Sequence, residues 1–238
     1  MRLLLGSGGF RTEERVRFLA EQMREFFGDL KRLLFIPYAL KDHDRYLQVL
    51  IEKKLDGGYV LDGIHTSAKP QAAIEQAEGI YVGGGNTFRL LSELYHLGLL
   101  DMIRARVGAG APYLGISAGA NITCPTIKTT NDMPIVQPPS LDALGLVPFQ
   151  INPHYFTGQT HMKDDDGYRE LFSETRDDRI REYHEMNDLP VIGLWEGGVL
   201  RFEDGRVLLA GSPARVFRKG QQPVDVAAGV CLNGLFTD

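Results

Sequence analysis

Short apolar runs alternate with segments of helical hydrophobic spacing along the first half of the chain. The run RLLLG, at residues 2–6, precedes a segment that begins after Thr12 and stops before Gly28. Four apolar residues of this segment share one helical face: Val16, Leu19, Met23 and Phe26. Because threonine favours helix N-termini and glycine commonly follows helix ends, these residues predict a buried strand followed by an amphipathic helix.

The same alternation recurs further along the chain. The apolar runs KRLLFIPYA, YVLDGIH and GIYVGGG precede helical patterns at residues 42–55, 71–76 and 88–95, and APYLGI leads into the sequence SAGAN. Strands that are apolar throughout must be buried on both faces, which is typical of parallel sheets covered by helices. The pattern therefore predicts a doubly wound α/β fold with a mostly parallel sheet.

The hydrophobic pattern changes from Gly193 onward. The sequence GVLRFEDGRVLLAG reads as two strands joined by Asp204 and Gly205, a pair of residues that favours a hairpin turn, and ARVFRKG adds a possible third strand. We expect the chain to end in an antiparallel hairpin or meander. We also expect residues 1–238 to form a single domain, since no linker or repeat divides them.

Composition and charge exclude several classes of protein. The 238 residues are 43% hydrophobic, and the longest apolar runs are far shorter than the roughly 20 residues of a membrane helix. A net charge of −5 without a basic patch argues against a nucleic-acid partner. Cys124 and Cys231 lack metal-ligand spacing, and we expect both to be reduced thiols. With an N-terminal apolar run too short for a signal peptide, these features predict a cytoplasmic protein.

Ser117 is the first candidate for chemistry. Residues 115–119, GISAG, match the G-x-S-x-G pattern, follow a predicted buried strand and open a predicted helix. In that context small neighbours allow a sharp turn that exposes the serine hydroxyl as a nucleophile. The alternative is a polar residue in an ordinary loop of glycine and alanine. A nucleophilic serine also requires a base that can take its proton.

His154 is the best candidate for that base among the six histidines. It ends the apolar run LVPFQINPH and should therefore lie at the carboxyl end of a strand, as Ser117 does. Active sites of open α/β sheets form at that edge. The other five histidines have polar or charged neighbours, for which surface positions suffice: His43, His65, His96, His161 and His184.

Two acidic residues compete for the role of orienting the imidazole. Glu196 follows the apolar strand VIGLW and precedes two glycines, so its carboxylate should emerge at the same edge. Asp132 lies in the polar sequence TTNDMPIV, where an aspartate can equally serve as a turn or capping residue. Strand geometry favours Glu196, and the choice stays open.

Cofactor chemistry has little support in the sequence. The glycines of IYVGGGNTF lack the lysine of a phosphate-binding P-loop and the spacing of a dinucleotide fingerprint, and a backbone N–H of this run is better suited to an oxyanion hole. The cluster HMKDDD, at residues 161–166, lacks helical metal-ligand spacing and predicts a solvated loop. We expect no metal and no cofactor.

Five ordered motifs together resemble a known family. VGGGNTF, SAGAN, CPTIKTTNDMPIV, QINPH and ETRDDRIRE, followed by VIGLWEGG, are similar to peptidase E, the α-aspartyl dipeptidase family of serine peptidases. The resemblance implies a fold like that of class I glutamine amidotransferases. It also implies hydrolysis of dipeptides with an N-terminal aspartate through an acyl-enzyme, without a cofactor, so that the expected partner is a small peptide.

The resemblance assigns roles to the matching residues. Ser117 in SAGAN is the implied nucleophile and His154 in NPH the implied base. Glu196 occupies the position of the third triad member, although family descriptions have also assigned the aspartate of TTNDMP, which keeps Asp132 as an alternative.

The same resemblance implies an oxyanion hole and a substrate contact. The N–H groups of Gly85 and Ala118 are the implied oxyanion donors, and Arg176 in ETR is the implied partner of the substrate's side-chain carboxylate. A guanidinium can hold a carboxylate through two parallel hydrogen bonds, so a site built this way should reject neutral residues. The pattern of charges around Arg176, by itself, indicates no more than a charged helix face.

The chain also departs from the family pattern. The first strand ends GSGG where bacterial members tend to have a Ser-Asn-Ser type sequence, Ile116 stands where a tryptophan is often found, and the segment from His154 to Arg176 is longer. The longer segment bears on specificity and on the placement of Arg176, and it leaves the serine chemistry intact.

Two other functions fit the same residues. One is a cyanophycinase-like serine peptidase of this fold that cleaves β-aspartyl linkages, against which the short chain and the NDMPIV and ETR motifs argue. The other is a non-catalytic protein of the same fold that binds a small molecule. A homo-oligomer is possible, and the sequence does not specify the oligomeric state.

Overall fold

A seven-stranded sheet forms the centre of the computed structural model, which describes residues 1–158, 160–165, 167–171 and 174–235. Across the sheet the strands are β11 (Arg206–Ala210), β10 (Val199–Glu203), β1 (Arg2–Gly6), β5 (Tyr113–Ile116), β4 (Ile80–Val82), β2 (Arg32–Ile36) and β3 (Val60–Gly63). The five strands from β1 to β3 are mutually parallel, whereas β10 and β11 are antiparallel to their neighbours.

Helices cover both faces of this sheet. They are α1 (Glu13–Phe27), α2 (His43–Glu52), α3 (Pro70–Gln76), α4 (Thr87–His96), α5 (Leu100–Gly108) and α6 (Ala118–Asn121). A further helix, α7 (Arg176–Met186), packs through Ile180 against Tyr155, Val191 and Phe217 in a separate core cluster. Within β1, Leu4 belongs to a core cluster with residues of α1 and α2, while Leu3 and Leu5 belong to a second cluster with residues of α3, α4 and α5. Both faces of the strand are buried, and the predicted doubly wound α/β fold is confirmed.

Local sequence signals account for the first helix. The hydroxyl of Thr12 accepts the N–H of Arg15 at the N-terminus of α1, and the N–H of Gly28 bonds the carbonyl of Arg24 at its C-terminus. Acidic Glu13 and Glu14 in the first turn complement the helix dipole. The predicted boundaries of this helix are therefore those that the structure has, whereas α5 was not foreseen.

A second, four-stranded sheet carries the next part of the chain. Its order is β13 (Val224–Val226), β12 (Ala214–Phe217), β9 (Val191–Trp195) and β6 (Gln150–Tyr155), with β6 and β9 parallel and the other pairs antiparallel. A hairpin of β7 (Thr160–Asp164) and β8 (Gly167–Leu171) follows β6. It lies in a polar stretch where no strands were predicted.

The C-terminal strands bear out the predicted hairpin but not the full meander. β10 and β11 pair through a turn at Asp204 and Gly205, both of which have positive φ. The third strand, ARVF, forms as expected, yet it pairs with β9 of the four-stranded sheet. A strand pattern does not specify its partner, because pairing depends on contacts remote in sequence. None of the helices in the described ranges is long and apolar enough to cross a membrane.

Candidate active site

Ser117 occupies a strained turn between β5 and α6. Its backbone angles are φ 53° and ψ −107°, a conformation that non-glycine residues rarely adopt. The flanking glycines are required by close approach: a Cβ on Gly115 would overlap the carbonyl of Gly119, and a Cβ on Gly119 would overlap that of Val82. The small residues of GISAG thus permit the turn that exposes a serine hydroxyl.

His154 connects Ser117 to Glu196. Its Nε2 lies 2.9 Å from Ser117 Oγ, and its Nδ1 lies 3.2 Å from Glu196 Oε1. An ionised carboxylate can only accept a hydrogen bond, so Nδ1 carries the proton and Nε2 is left to accept from the serine hydroxyl. Since the side chains of His154 and Glu196 are 40% and 50% exposed, solvent and substrate can reach them.

The three side chains come from two sheets. Ser117 follows β5 of the seven-stranded sheet, while His154 lies near the end of β6 and Glu196 directly follows β9, two parallel neighbours in the four-stranded sheet. The expectation that all three strands end at one edge of a single sheet was therefore wrong. His154 has a positive φ of 54°, where the β6–β9 register shifts, and this local irregularity turns the imidazole toward Ser117.

Ser7, in the loop after β1, ties the two sheets together. Its fully buried hydroxyl donates to the carbonyl of Leu194 at 2.8 Å and accepts the N–H of His154 at 2.7 Å. The N–H of Gly197 donates to the carbonyl of Gly8, in the same loop, at 2.8 Å. These bonds hold the ends of β6 and β9 beside β1, and therefore beside Ser117.

The next two residues of the loop make room for the site. A Cβ on Gly8 would lie 2.5 Å from His154 Cε1, and a Cβ on Gly9 would lie 2.6 Å from Glu196 Cβ. Sequence reasoning tested this glycine run only as a nucleotide-binding loop and missed both Ser7 and its neighbours. The available signal was its position, directly after the first buried strand at the edge where Ser117 lies.

The glycine loop after β4 approaches Ser117 closely. A Cβ on Gly84 would lie 3.1 Å from Ser117 Cβ. Gly85 has a φ of 140°, and a Cβ on it would lie 2.6 Å from the carbonyl oxygen of Ala39. Within the described ranges, the N–H groups of Gly85 and Ala118 have no protein acceptor, so both are free to bind an oxyanion.

Asp132 lies at the N-terminus of α4. One carboxylate oxygen accepts the N–H of Thr87 at 2.7 Å, the hydroxyl of Thr87 at 2.6 Å and the hydroxyl of Thr130 at 3.1 Å. A carboxylate in this position satisfies a free helix N–H and complements the helix dipole. No described hydrogen bond joins Asp132 to His154, and the structure brings Glu196 rather than Asp132 to the imidazole.

Arg176 begins α7 and has an unpartnered polar atom. Its guanidinium lies 5.6 Å from the ring centre of Phe156, and its buried Nε has no hydrogen-bond partner among the described residues. Burial lowers the pKa of Arg176 from its ordinary value, and Arg179 adds to this, while the charge of Asp132 raises it. A half-buried cation with a free donor is suited to bind an anionic group.

A polar network anchors the helix that carries Arg176. Asp177 accepts a hydrogen bond from the hydroxyl of Tyr155 and a second from Arg215 at 3.1 Å. Arg215 also holds Asp225 through two bonds of 2.6 and 2.7 Å. Burial raises the pKa of Tyr155, which keeps the hydroxyl protonated as a donor. The network joins α7 to β6 and β12.

The remaining histidines differ from their predicted surface positions in two cases. His184 is 8% exposed, and its Nε2 lies 3.1 Å from the carbonyl oxygen of Leu189. The side chain of His65 is 9% exposed, and its Nε2 lies 3.0 Å from Asp44 Oδ1. In the cluster at residues 161–166, the side chains of His161, Asp164 and Asp166 lie outside the part of the chain that the structure describes. Elsewhere in the described chain, no three His, Cys, Asp or Glu side chains lie close enough to bind a metal.

A serine on a strained turn, a histidine within hydrogen-bond distance of it and a carboxylate beside the histidine form the arrangement found in serine hydrolases. The geometry of Ser117, His154 and Glu196 is of this class. A sequence model of peptidase family S51 matches residues 2–210. The chain belongs to peptidase family S51, and the resemblance drawn from its motifs is confirmed.

Individual relatives agree with the family match. A protein named peptidase E from Streptomyces coelicolor is 48% identical over 208 residues, which cover 86% of this chain and 82% of that protein. A probable alpha-aspartyl dipeptidase from Drosophila melanogaster is 40% identical over 223 residues, covering 91% and 89% of the two chains. Both alignments span most of each protein.

Solved structures support the fold. The crystal structure of a putative peptidase E from Listeria monocytogenes EGD-e superposes with a TM-score of 0.58 at 24% identity, over 96% of this chain and 98% of that one. A peptidase from an acI-B1 Actinobacterium gives 0.66 at 18% identity, over 97% and 95%. At these identities the likeness establishes the arrangement of strands and helices.

Proposed function

We propose that the protein is a serine exopeptidase that hydrolyses dipeptides with an N-terminal aspartate. The observation that carries this proposal is the continuous hydrogen-bonded series from Ser117 through His154 to Glu196. Relatives named peptidase E and alpha-aspartyl dipeptidase support the substrate class. Glu196 is the third triad member in this proposal, because its carboxylate reaches the imidazole whereas that of Asp132 caps α4.

Acylation begins at the serine hydroxyl. His154 Nε2 takes the proton of Ser117 while Oγ attacks the peptide carbonyl carbon, and Glu196 stabilises the imidazolium that forms. The carbonyl oxygen becomes negatively charged and binds the free N–H groups of Gly85 and Ala118. When the intermediate collapses, His154 returns its proton to the leaving nitrogen, the C–N bond breaks, and aspartate remains bound to Ser117 as an ester.

Deacylation repeats these roles with water. His154 takes a proton from a water molecule, whose oxygen attacks the ester carbonyl, and the C–O bond to Ser117 then breaks. The proton on His154 passes to Ser117 Oγ, so that the enzyme is restored and aspartic acid is released. The sequence of steps requires no redox change.

Arg176 is the proposed reader of the substrate's side-chain carboxylate. Its buried Nε lacks a partner among the described residues, and an aspartate side chain would supply one. A neutral or longer side chain would leave that donor unpaired or misplaced, which gives large discrimination. The two free thiols, Cys124 and Cys231, suit a reducing compartment, and we place this activity in the cytoplasm.

The proposal is tested by hydrolysis of a panel of five peptides: Asp-Leu, Glu-Leu, Asn-Leu, β-Asp-Leu and Asp-Leu-Leu. We expect cleavage of Asp-Leu, with little or none of the others, and loss of at least about 10³-fold in the Ser117→Ala variant. Circular dichroism and thermal melting of the variant serve as the control for folding. Ser140→Ala, in a surface loop, provides a matched serine substitution outside the site.

Other outcomes would overturn parts of the proposal. Preferential cleavage of β-Asp-Leu would identify an enzyme for β-aspartyl linkages. Equal cleavage of Asn-Leu and Asp-Leu would remove the role given to Arg176. Full activity in Ser117→Ala would contradict the serine mechanism, and cleavage of no peptide would favour a binding protein of the same fold.

A further inference from the structure

A cavity of about 580 Å³ lies between the sheet, α1 and α2, next to the proposed nucleophile. Such a volume is within the usual range of pockets that bind small molecules. Its lining includes Gly84, which approaches Ser117, and Ile116, which precedes it in the chain. The cavity therefore adjoins the catalytic serine, and the mechanism proposed above assigns it no role.

The cavity lies on the side where the leaving group departs. Gly8 and Gly9 also line it, and these residues pack against His154 and Glu196 respectively. The imidazole that deprotonates the serine later protonates the leaving nitrogen, so the leaving residue must sit on the imidazole side of the scissile bond. Arg176 interacts instead with Phe156, which is not part of the cavity lining.

The walls of the cavity are apolar and its rim is charged. Buried walls are formed by Phe10, Leu19, Leu50 and Tyr81, of which none is more than 6% exposed. The rim of the cavity carries three basic and two acidic residues, all exposed, so its net charge is close to zero. These residues are Arg11, Lys53, Lys54, Glu13 and Glu52. Apolar walls bind apolar side chains, and a mixed rim tolerates the terminal carboxylate of a dipeptide.

We propose that this cavity receives the side chain of the residue that leaves, and that the enzyme prefers dipeptides whose second residue is large and apolar. The proposal rests on the function proposed above and adds the class of second residue to it. Binding energy from this side chain is available at some distance from the reacting bond and can orient the peptide for attack by Ser117.

The test compares second residues in the wild type. Values of kcat/KM are measured for Asp-Gly, Asp-Ala, Asp-Leu and Asp-Phe. We expect Asp-Leu and Asp-Phe to exceed Asp-Gly by about tenfold or more, since each apolar group buried in such a pocket changes discrimination severalfold.

Variants that fill the cavity then locate the preference. Val49 on α2 and Val16 on α1 both line the cavity, and replacing either by phenylalanine adds bulk to it from a different helix. In Val49→Phe the ratio of Asp-Leu to Asp-Gly should fall to about twofold or less. Val16→Phe repeats the test if Val49→Phe is poorly folded. Ile51→Phe, on α2 but 52% exposed and outside the cavity lining, is the matched control and should keep the wild-type ratio.

The outcomes separate this proposal from the one on which it rests. Equal kcat/KM for Asp-Gly and Asp-Leu overturns the proposal while leaving the aspartyl dipeptidase function standing. A preference for Asp-Leu that both cavity variants retain also overturns it, because the side chain must then bind elsewhere. If no Asp-X peptide is cleaved, the dipeptidase function fails and this proposal fails with it.

Discussion

The triad and the segment around Arg176 are built in different ways. Ser117, His154 and Glu196 lie at or just beyond the ends of three buried strands, and each is flanked by glycine or by close backbone contacts. Arg176 begins helix α7, in which only Ile180 and His184 are buried, and this helix follows a hairpin in a polar stretch. The catalytic centre is thus set by the rigid core, whereas the proposed substrate contact depends on one helix and its anchoring network.

The difference separates catalysis from specificity. Strand ends of a buried sheet hold side chains with little freedom, which suits a nucleophile and base that must stay within hydrogen-bond distance. Helix α7 is anchored through Asp177 by Tyr155 and Arg215. Substitutions in the first region should therefore lower kcat for every substrate, and substitutions in the second should change the ranking of substrates.

The largest effect is expected at the triad carboxylate. In Glu196→Gln the amide can donate to His154 and favour the wrong tautomer, so kcat for Asp-Leu should fall by on the order of 10³. Asp132→Asn should lower kcat by less than about tenfold and the free energy of unfolding by about 1 kcal/mol, because it weakens a helix cap. Steady-state kinetics measure kcat for each variant, and denaturant unfolding measures its free energy of unfolding. A larger loss of kcat in Asp132→Asn would reverse the assignment.

An intermediate effect is expected at Arg176. Arg176→Met removes the proposed partner of the substrate carboxylate, so kcat/KM for Asp-Leu should fall by about 10²-fold, the lower end of the loss expected when one member of a desolvated charge pair is truncated. The ratio of Asp-Leu to Asn-Leu should approach one. Arg179→Met is the matched control, since Arg179 forms an exposed ion pair with Glu174. Unchanged discrimination in Arg176→Met would place the carboxylate contact elsewhere.

The smallest effect on kcat is expected at Ser7, which connects the buried core to the triad. Ser7→Ala leaves the buried N–H of His154 and the carbonyl of Leu194 without their partner, which should lower the free energy of unfolding by about 1–3 kcal/mol. If Ser7 positions the imidazole, kcat should fall by about tenfold while KM changes little. A loss of stability with unchanged kcat would assign Ser7 a structural role alone.

The sequence alone predicted the elements better than their pairing. The strand and cap patterns foretold α1 and the buried strand before Ser117, because both depend on local periodicity and capping. They could not show that β6 and β9 form a separate sheet, because pairing is decided by contacts remote in sequence.

The candidate site was predictable to a similar degree. Ser117, His154 and Glu196 stood out because each follows or ends an apolar run. Arg176 lies on a charged helix and was singled out only by resemblance to a family. Ser7, Gly8 and Gly9 were missed, since their contacts with His154 and Glu196 exist only once the two sheets have come together.

The central claim is that His154 activates Ser117 as a nucleophile. The most direct test is covalent labelling with a fluorophosphonate, followed by peptide mapping by mass spectrometry. Oγ of Ser117 displaces fluoride from phosphorus, and the adduct should be found on Ser117 of the wild type. In His154→Ala the rate of labelling should fall by at least about 10²-fold, because the serine has lost its base. Labelling of another residue, or an unchanged rate in His154→Ala, would contradict the account.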